Sequence, residues 1–233
     1  MENKPDLSVI VPAYNEAENL RDLLPRLTGV LGAEGIHFEI LVVDRIASTD
    51  ETPEICAANS AVYINRKDSD SYGDAVRTGI ACCRGRHAIF MDADGSHPPE
   101  FISELYKSRH DSDVVIASRY VAGGGTENAK SLILMSRVLN LIYSVVLNIP
   151  CKDISNSFKL YRKDLLAGLR LDCDNFDIVE EILYKIVKSN PRVKIKEIPF
   201  TFEKRKFGET KRNLFLFILS FAVTLFKLRF GIK

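Results

Sequence analysis

Short uninterrupted apolar runs alternate along this chain with stretches in which apolar residues return every three or four positions. Residues 7–11, 38–43, 61–64, 87–91 and 114–117 are of the first kind and read as strands buried on both faces. Residues 16–31 are of the second kind, with Leu20, Leu23, Leu24, Leu27 and Leu31 on one helical face. Ser48 and Thr49 ahead of Asp50 and Glu51 predict a helix start, continuing to residue 59. Residues 73–83 read as another helix, and Pro98, Pro99 and Glu100 open one more. Strand following helix in this order predicts an α/β fold with a mostly parallel sheet covered on both faces.

Beyond Gly125 the pattern changes. Residues 130–149 form a strongly apolar helical stretch broken by Arg137, Asn140 and Ser144, which share one face at spacings of three and four. Its apolar face reads either as core or as a neighbour of the C-terminal segment that guides a lipid tail. Residues 158–161 read as a strand, 176–189 as a helix and 193–202 as an edge strand. In residues 214–226 only Ser220 and Thr224 are not apolar. As a helix this segment is about 20 Å long, short of the roughly 30 Å core of a bilayer. It is expected to associate with a membrane by shallow or hairpin insertion or as an interfacial helix, or else to be buried against a partner subunit. The chain thus divides into a body, residues 1–212, and an apolar, basic C-terminal membrane-associating helix, residues 213–233.

Charge sharpens that division. The 233 residues carry a formal net charge of +1, which gives no global basic field for nucleic acid. Residues 203–233, however, hold eight basic and two acidic side chains, +6, against −5 for the rest. An acidic body with a basic, apolar tail suits an anionic membrane surface or a phosphorylated ligand. The five cysteines (Cys56, Cys82, Cys83, Cys151, Cys173) contain no CxxC pair and read as reduced thiols of a cytosolic protein. The histidines (His37, His87, His97, His110) show no metal-site spacing. The first residues run straight into a strand, so no signal peptide is expected.

Polar residues gather where the predicted strands end: Tyr14, Asn15 and Glu16, then Asp44, then Asp92 and Asp94, then Ser118 and Arg119. In parallel α/β sheets ligands bind at that edge. Neither GxGxxG nor GxxxxGK[ST] is present, which argues against a dinucleotide dehydrogenase and a P-loop enzyme. Asp92 and Asp94, two residues apart on a turn, offer hard oxygen ligands suited to Mg²⁺ or Mn²⁺.

Several stretches together resemble a known family. Residues 9–16, VIVPAYNE, and 92–99, DADGSHPP, are similar to the opening and the metal motif of family 2 inverting glycosyltransferases of GT-A fold. Ser118-Arg119-Tyr120-Val121 before three glycines, residues 153–162 (DISNSFKLYR) and residues 205–211 (RKFGETK) resemble the dolichol-phosphate mannosyltransferase and polyprenyl-phosphate branch. The resemblance implies transfer of a hexose, mannose or glucose, from GDP-mannose or UDP-glucose to a polyprenyl or dolichyl phosphate. The site would lie at the cytoplasmic face of the plasma membrane or the ER, with the protein peripheral or shallowly inserted. It implies that Pro12, Tyr14 and Glu16 line the nucleotide pocket and that Asp44 contacts the base. Asp92 and Asp94 would hold Mg²⁺ or Mn²⁺ on the diphosphate, with Ser96 at the position of a third ligand. Arg119, Arg137, Arg205 and Lys211 would surround the phosphates, Arg205 and Lys211 on the nucleotide-sugar side, and Ser155 would join Arg119 and Arg137 at the acceptor phosphate. A second copy of the chain or a small membrane subunit is a further expected class of partner.

Such a reaction needs cations more than it needs a base, because a phosphate monoester is already anionic near neutral pH. A hydroxyl acceptor would need a carboxylate base, for which Asp153 and Asp177 are the sequence candidates. Three positions depart from the family pattern. Arg45 stands where a second carboxylate is usual, Asn156 where serine is usual, and Ser157 where glycine is usual. They keep a third reading open, a non-catalytic subunit that binds a nucleotide sugar.

Overall fold

The computed structural model describes residues 4–202 and 214–231, with the side chains of residues 214–220 outside that description. The elements run β1 (Leu7–Pro12), α1 (Ala17–Ala33), β2 (Phe38–Asp44), α2 (Thr52–Ala58), β3 (Val62–Asn65), α3 (Tyr72–Cys82), β4 (His87–Phe90), α4 (Ile102–Lys107), β5 (Val114–Ser118) and β6 (Gly125–Thr126). They continue α5 (Lys130–Leu147), β7 (Lys159–Arg162), α6 (Lys163–Leu166), α7 (Ile178–Ser189), β8 (Ile195–Pro199), β9 (Thr201–Phe202) and α8 (Leu214–Phe230).

Seven strands form one sheet in the order β3-β2-β1-β4-β7-β5-β8. All pairings are parallel except those of β7, which runs antiparallel to both β4 and β5. The mostly parallel sheet expected from the pattern is therefore present, with one reversed strand. Alternate residues of each strand enter opposite cores, as the pleat requires. Val9, Val11, Ile40 and Val42 pack with Leu20, Leu24, Leu27 and Leu31 of α1. Ile10, Leu41, Val43 and Phe90 pack with Val76 of α3, Tyr143 of α5, Ile182 of α7 and Phe221 of α8.

Differences from the sequence reading have local causes. The helix expected from Ser48 begins at Thr52, with Asp50 held in the turn ahead of it. Its carboxylate accepts the N–H of Thr52 at 3.1 Å and that of Ala17, the first residue of α1, at 3.0 Å. The expected edge strand 193–202 divides at Phe200, whose N–H donates to Ser118 O at 3.0 Å. Its last two residues pair instead with β6. The C-terminal helix runs four residues past the apolar segment, through Lys227 and Arg229 to Phe230. It docks on α5, where the Tyr143 hydroxyl donates to Phe221 O at 2.8 Å and the two rings lie 4.5 Å apart.

Gly73, in the first turn of α3, is pressed against the loop before α7. Its N–H donates to Asp174 O at 2.8 Å, and a Cβ there would sit 2.2 Å from Cys173 O. Gly73→Ala is expected to cost about 1–3 kcal/mol through overpacking, read as a lowered denaturation midpoint.

Candidate active site

The loops after β1 and β2 are tied to each other. Asn15 takes a left-handed φ of 54°, tolerable for Asn, and its N–H donates to Asp44 Oδ1 at 3.1 Å. The other oxygen of Asp44 accepts the Tyr63 hydroxyl at 3.4 Å, and the residue is fully buried. Asp44 thus ties the loop after β1 to β3. The surface above it is formed by the exposed Tyr14 ring, with the Arg45 and Arg66 guanidinium carbons 4.8 and 5.7 Å from its centroid. Arg45 Nη2 lies 3.6 Å from Asp70 Oδ2, while the N–H of Ile46 donates to the other Asp70 oxygen at 2.8 Å. Arg66 is buried and donates to the carbonyls of Ala13, Asp70 and Ser71. Pro12 closes β1 and is buried, and Glu16 accepts from Asn19 Nδ2 at 2.6 Å at the start of α1.

Asp92 and Asp94 follow β4, and Gly95 takes φ 79° to turn the chain beneath them. The Asp92 carboxylate accepts the Tyr72 hydroxyl on Oδ1 at 3.4 Å and the Ser157 hydroxyl on Oδ2 at 3.2 Å. Its own N–H donates to His97 Nδ1 at 3.0 Å. Asp94 Oδ1 accepts both the N–H of Ser96 at 3.1 Å and its hydroxyl at 2.6 Å. Ser96 is fully buried and its hydroxyl is turned onto Asp94, so here it orients that carboxylate. His97 is stacked on Phe158 with ring centroids 4.6 Å apart. Burial pulls its pKa down against the opposing charges of Asp92 and Asp94, so it stays neutral and serves as scaffold. The donor set fits Mg²⁺ or Mn²⁺, since the two carboxylates and the nearby hydroxyls are hard oxygen donors. Among the described residues no group of three His, Cys, Asp or Glu converges. A cation here would complete its shell from water and ligand oxygens.

The third cluster joins β5 to the loop before β7. Arg119 grips Asp153 with two side-chain bonds, Nε to Oδ2 at 2.8 Å and Nη2 to Oδ1 at 2.6 Å, and its backbone N–H adds a third at 2.8 Å. The side chains are 12% and 0% exposed. Burial alone would lower the guanidinium pKa, but the hydrogen bond and charge of Asp153 more than offset it and leave it raised. Arg119 Nη2 also donates to Ser155 Oγ at 2.9 Å. Glu197 of β8 holds the same loop by accepting the N–H groups of Lys152 at 2.8 Å and Asp153 at 3.0 Å. From below, the fully buried Lys159 ammonium donates to the carbonyls of Ile154 and Asn156. Burial pushes its pKa down to about 8, against the pull of Glu180 and Asp153.

The two departures in this loop have structural roles. Asn156 is turned inward, its amide donating to Ala117 O at 2.5 Å. The Ser157 hydroxyl ties the loop to Asp92. The two candidate bases are both engaged: Asp153 by Arg119, and Asp177 by the Thr224 hydroxyl of α8. Arg137 is exposed on α5 with its guanidinium carbon 5.4 Å from the centroid of the Tyr120 ring, which also carries Arg119 at 5.0 Å. Arg205 and Lys211 lie outside the described residues. Tyr72 and Asn140 belong to the site and escaped the sequence reading as site residues, since neither stands at a strand end.

Asn140, Tyr143 and Leu147 set the buried edge of α5, but most of the helix faces outward. Leu134, Leu141 and Val145 are 66%, 64% and 71% exposed. Its 18 residues have a mean hydropathy of 1.5, and by length and composition alone they would suffice to cross a membrane. Val223, Phe226 and Phe230 of α8 are exposed as well.

Comparison with known proteins agrees with this architecture. Glucosyl-3-phosphoglycerate synthase of Mycobacterium tuberculosis, solved with Mn²⁺, UDP and phosphoglyceric acid, superposes with a TM-score of 0.73 at 17% identity. The match covers 98% of this chain and 80% of that one. The same enzyme with Mg²⁺ and UDP gives 0.72 over 98% and 80%. The fold is therefore that of the GT-A nucleotide-sugar transferases. Residues 8–170 match Glycosyl transferase family 2, and the chain belongs to that family. The dolichol-phosphate mannosyltransferase of Pyrococcus furiosus is 37% identical over 88% of this chain, that of Saccharomyces cerevisiae 32% over 88%. The undecaprenyl-phosphate mannosyltransferase of Micrococcus luteus is 32% identical over 88%. The chain spans 58% of the length of the archaeal relative, 80% of the yeast one and 86% of the bacterial one.

Asp153→Asn would leave the Arg119 charge buried beside a neutral amide. We expect a loss of about 3–5 kcal/mol in unfolding free energy, measured by denaturant titration, with Asp177→Asn costing clearly less.

Proposed function

We propose that this chain transfers a hexose, mannose by analogy with its relatives, from a nucleotide sugar to a polyprenyl phosphate. The observation that carries the proposal is the Arg119–Ser155 cluster. It offers hydrogen-bond donors to an anion, while the two candidate bases, Asp153 and Asp177, are both buried and already hydrogen-bonded within the fold. An acceptor that arrives already ionised needs only to be oriented and charge-balanced.

In this reading Pro12, Tyr14 and Glu16 line the nucleotide side, and Asp44 contacts the base. Asp92 and Asp94 would hold Mg²⁺ or Mn²⁺, which would supply positive charge to the leaving diphosphate. Ser96 fixes Asp94 through its N–H and hydroxyl, and Arg205 and Lys211 would add positive charge for the diphosphate. Arg119, Ser155 and Arg137 receive the acceptor phosphate. One of its oxygens attacks C1 of the sugar, the C1–oxygen bond to the nucleoside diphosphate breaks, and the anomeric centre inverts.

Arg45 bears on the nucleotide, which the sequence resemblance leaves as GDP or UDP. It places a cation on Tyr14 where the family pattern has a carboxylate. The exposed faces of α5 and α8, with Lys227 and Arg229 at the end of α8, suit a peripheral seat on an anionic membrane. Because α5 is pinned to the body by Asn140, Tyr143 and Leu147, it lies along the domain. The cytoplasmic face is where a nucleotide sugar would be available. A second copy or a small membrane subunit would cover the same apolar faces.

The test is turnover. Protein, Mn²⁺, a short polyprenyl phosphate and a panel of nucleotide sugars are combined, and released nucleoside diphosphate is followed. Release should need the lipid phosphate, fall at least 100-fold in Asp92→Ala, vanish with EDTA and return with Mn²⁺. With no protein base involved, kcat/KM for the acceptor should hold steady from pH 7 to 8. It should fall as pH drops through about 6, where the acceptor phosphate takes its second proton. Release indifferent to lipid phosphate would contradict the acceptor. No release from any donor would favour a nucleotide-sugar-binding subunit.

A further inference from the structure

We infer that Asn140 is a positioning residue that fixes the hydrogen-bond polarity of Ser155, so that the Ser155 hydroxyl can only donate, and donates to the acceptor phosphate. This rests on the lipid-phosphate reading above and adds a residue to it.

The orientation of the Asn140 amide is determined by its surroundings. Its oxygen accepts the backbone N–H of Ser155 at 2.9 Å, and an N–H can only donate. The amide nitrogen must then face the other way. It donates to Ser136 O at 2.8 Å and to Ser155 Oγ at 3.0 Å. Both amide hydrogens and the oxygen are used, as a side chain only 1% exposed requires.

Ser155 Oγ therefore accepts from Asn140 Nδ2 and, at 2.9 Å, from Arg119 Nη2. A serine hydroxyl has two lone pairs and one proton. With both lone pairs occupied it retains only the proton, and among the described residues no acceptor takes it. Ser155 is half-buried, so the proton has a route out of the fold. An anion is the ligand such a group selects, and Arg119 already supplies the charge beside it. Asn140 sits on α5, the helix whose outer face is apolar and exposed, so the element offered to the membrane also sets the donor that reads the lipid headgroup.

Asn140→Asp tests this with almost no change in shape. An aspartate at 140 still accepts the Ser155 N–H, but it draws the Ser155 hydroxyl proton to itself and away from the phosphate. Expected is a rise of roughly 10–100-fold in acceptor KM, the range for a hydrogen bond to a charged group. Donor KM and Mn²⁺-dependent nucleotide affinity should stay near wild type, while the denaturation midpoint falls, because a buried carboxylate faces Ser136 O in place of the amide donor. Ser155→Ala should give a loss of the same size, and Ser155→Thr should restore acceptor KM. The double variant Asn140→Asp/Ser155→Ala should be no worse than Ser155→Ala alone, within about threefold. An unchanged acceptor KM in either single variant overturns the inference. So do multiplied losses in the double variant, or a parallel loss of nucleotide affinity, which would make the role structural. If the wild-type protein itself turns over nucleotide sugar without using lipid phosphate, it is the proposed function that fails.

Discussion

The buried pair of Arg119 and Asp153 is the constraint on which the rest of the site depends. A guanidinium this enclosed is tolerable only when its charge is met and its donors are placed, and Asp153 does both with two oxygens. The pair locks the end of β5 to the loop before β7. That loop then has little freedom, because Glu197 holds its start, Lys159 gathers its carbonyls from below, and Asn140 clamps Ser155 from α5. Ser157 carries the constraint across to Asp92. The proposed phosphate end and cation end of the reaction are thus parts of one hydrogen-bonded frame.

In the proposed reaction both partners are anions, and this frame would meet that difficulty with separate charge-balancing groups for the diphosphate and for the acceptor phosphate, without a proton transfer. The neutral, buried His97 fits the same account: it supports Asp92 through the backbone and leaves the site's charge to the arginines and the carboxylates.

Much of the fold was legible because parallel strands buried on both faces leave unbroken apolar runs, and Leu20, Leu24, Leu27 and Leu31 mark α1 without ambiguity. The strand-end residues were legible for the same reason, since a strand that stops being apolar exposes its next residues at the ligand edge. The direction of β7 was not legible, because a run of four residues fixes no orientation. Lys159 conceals its burial, as its charge is satisfied by carbonyls that only the folded loop supplies. Asp44 is legible as a strand-end carboxylate, but its bonds to the Asn15 N–H and the Tyr63 hydroxyl come from loops that only the fold brings together. Arg137, Asn140 and Ser144 looked alike on one helical face but diverge. Arg137 lies in the open against Tyr120, Asn140 is clamped on Ser155, and the Ser144 hydroxyl donates to Ile149 O at 2.8 Å.

The central claim is that one frame holds two distinct anion sites, one for a metal-bound diphosphate and one for a lipid phosphate. Calorimetric titration of folded Arg119→Lys and Asp92→Asn proteins, each with Mn²⁺-nucleoside diphosphate and separately with a short polyprenyl phosphate, tests it most directly. The account predicts a crossed bias, in which Arg119→Lys loses more lipid-phosphate than nucleotide affinity, while Asp92→Asn does the reverse. Equal loss of both ligands in both variants would contradict it.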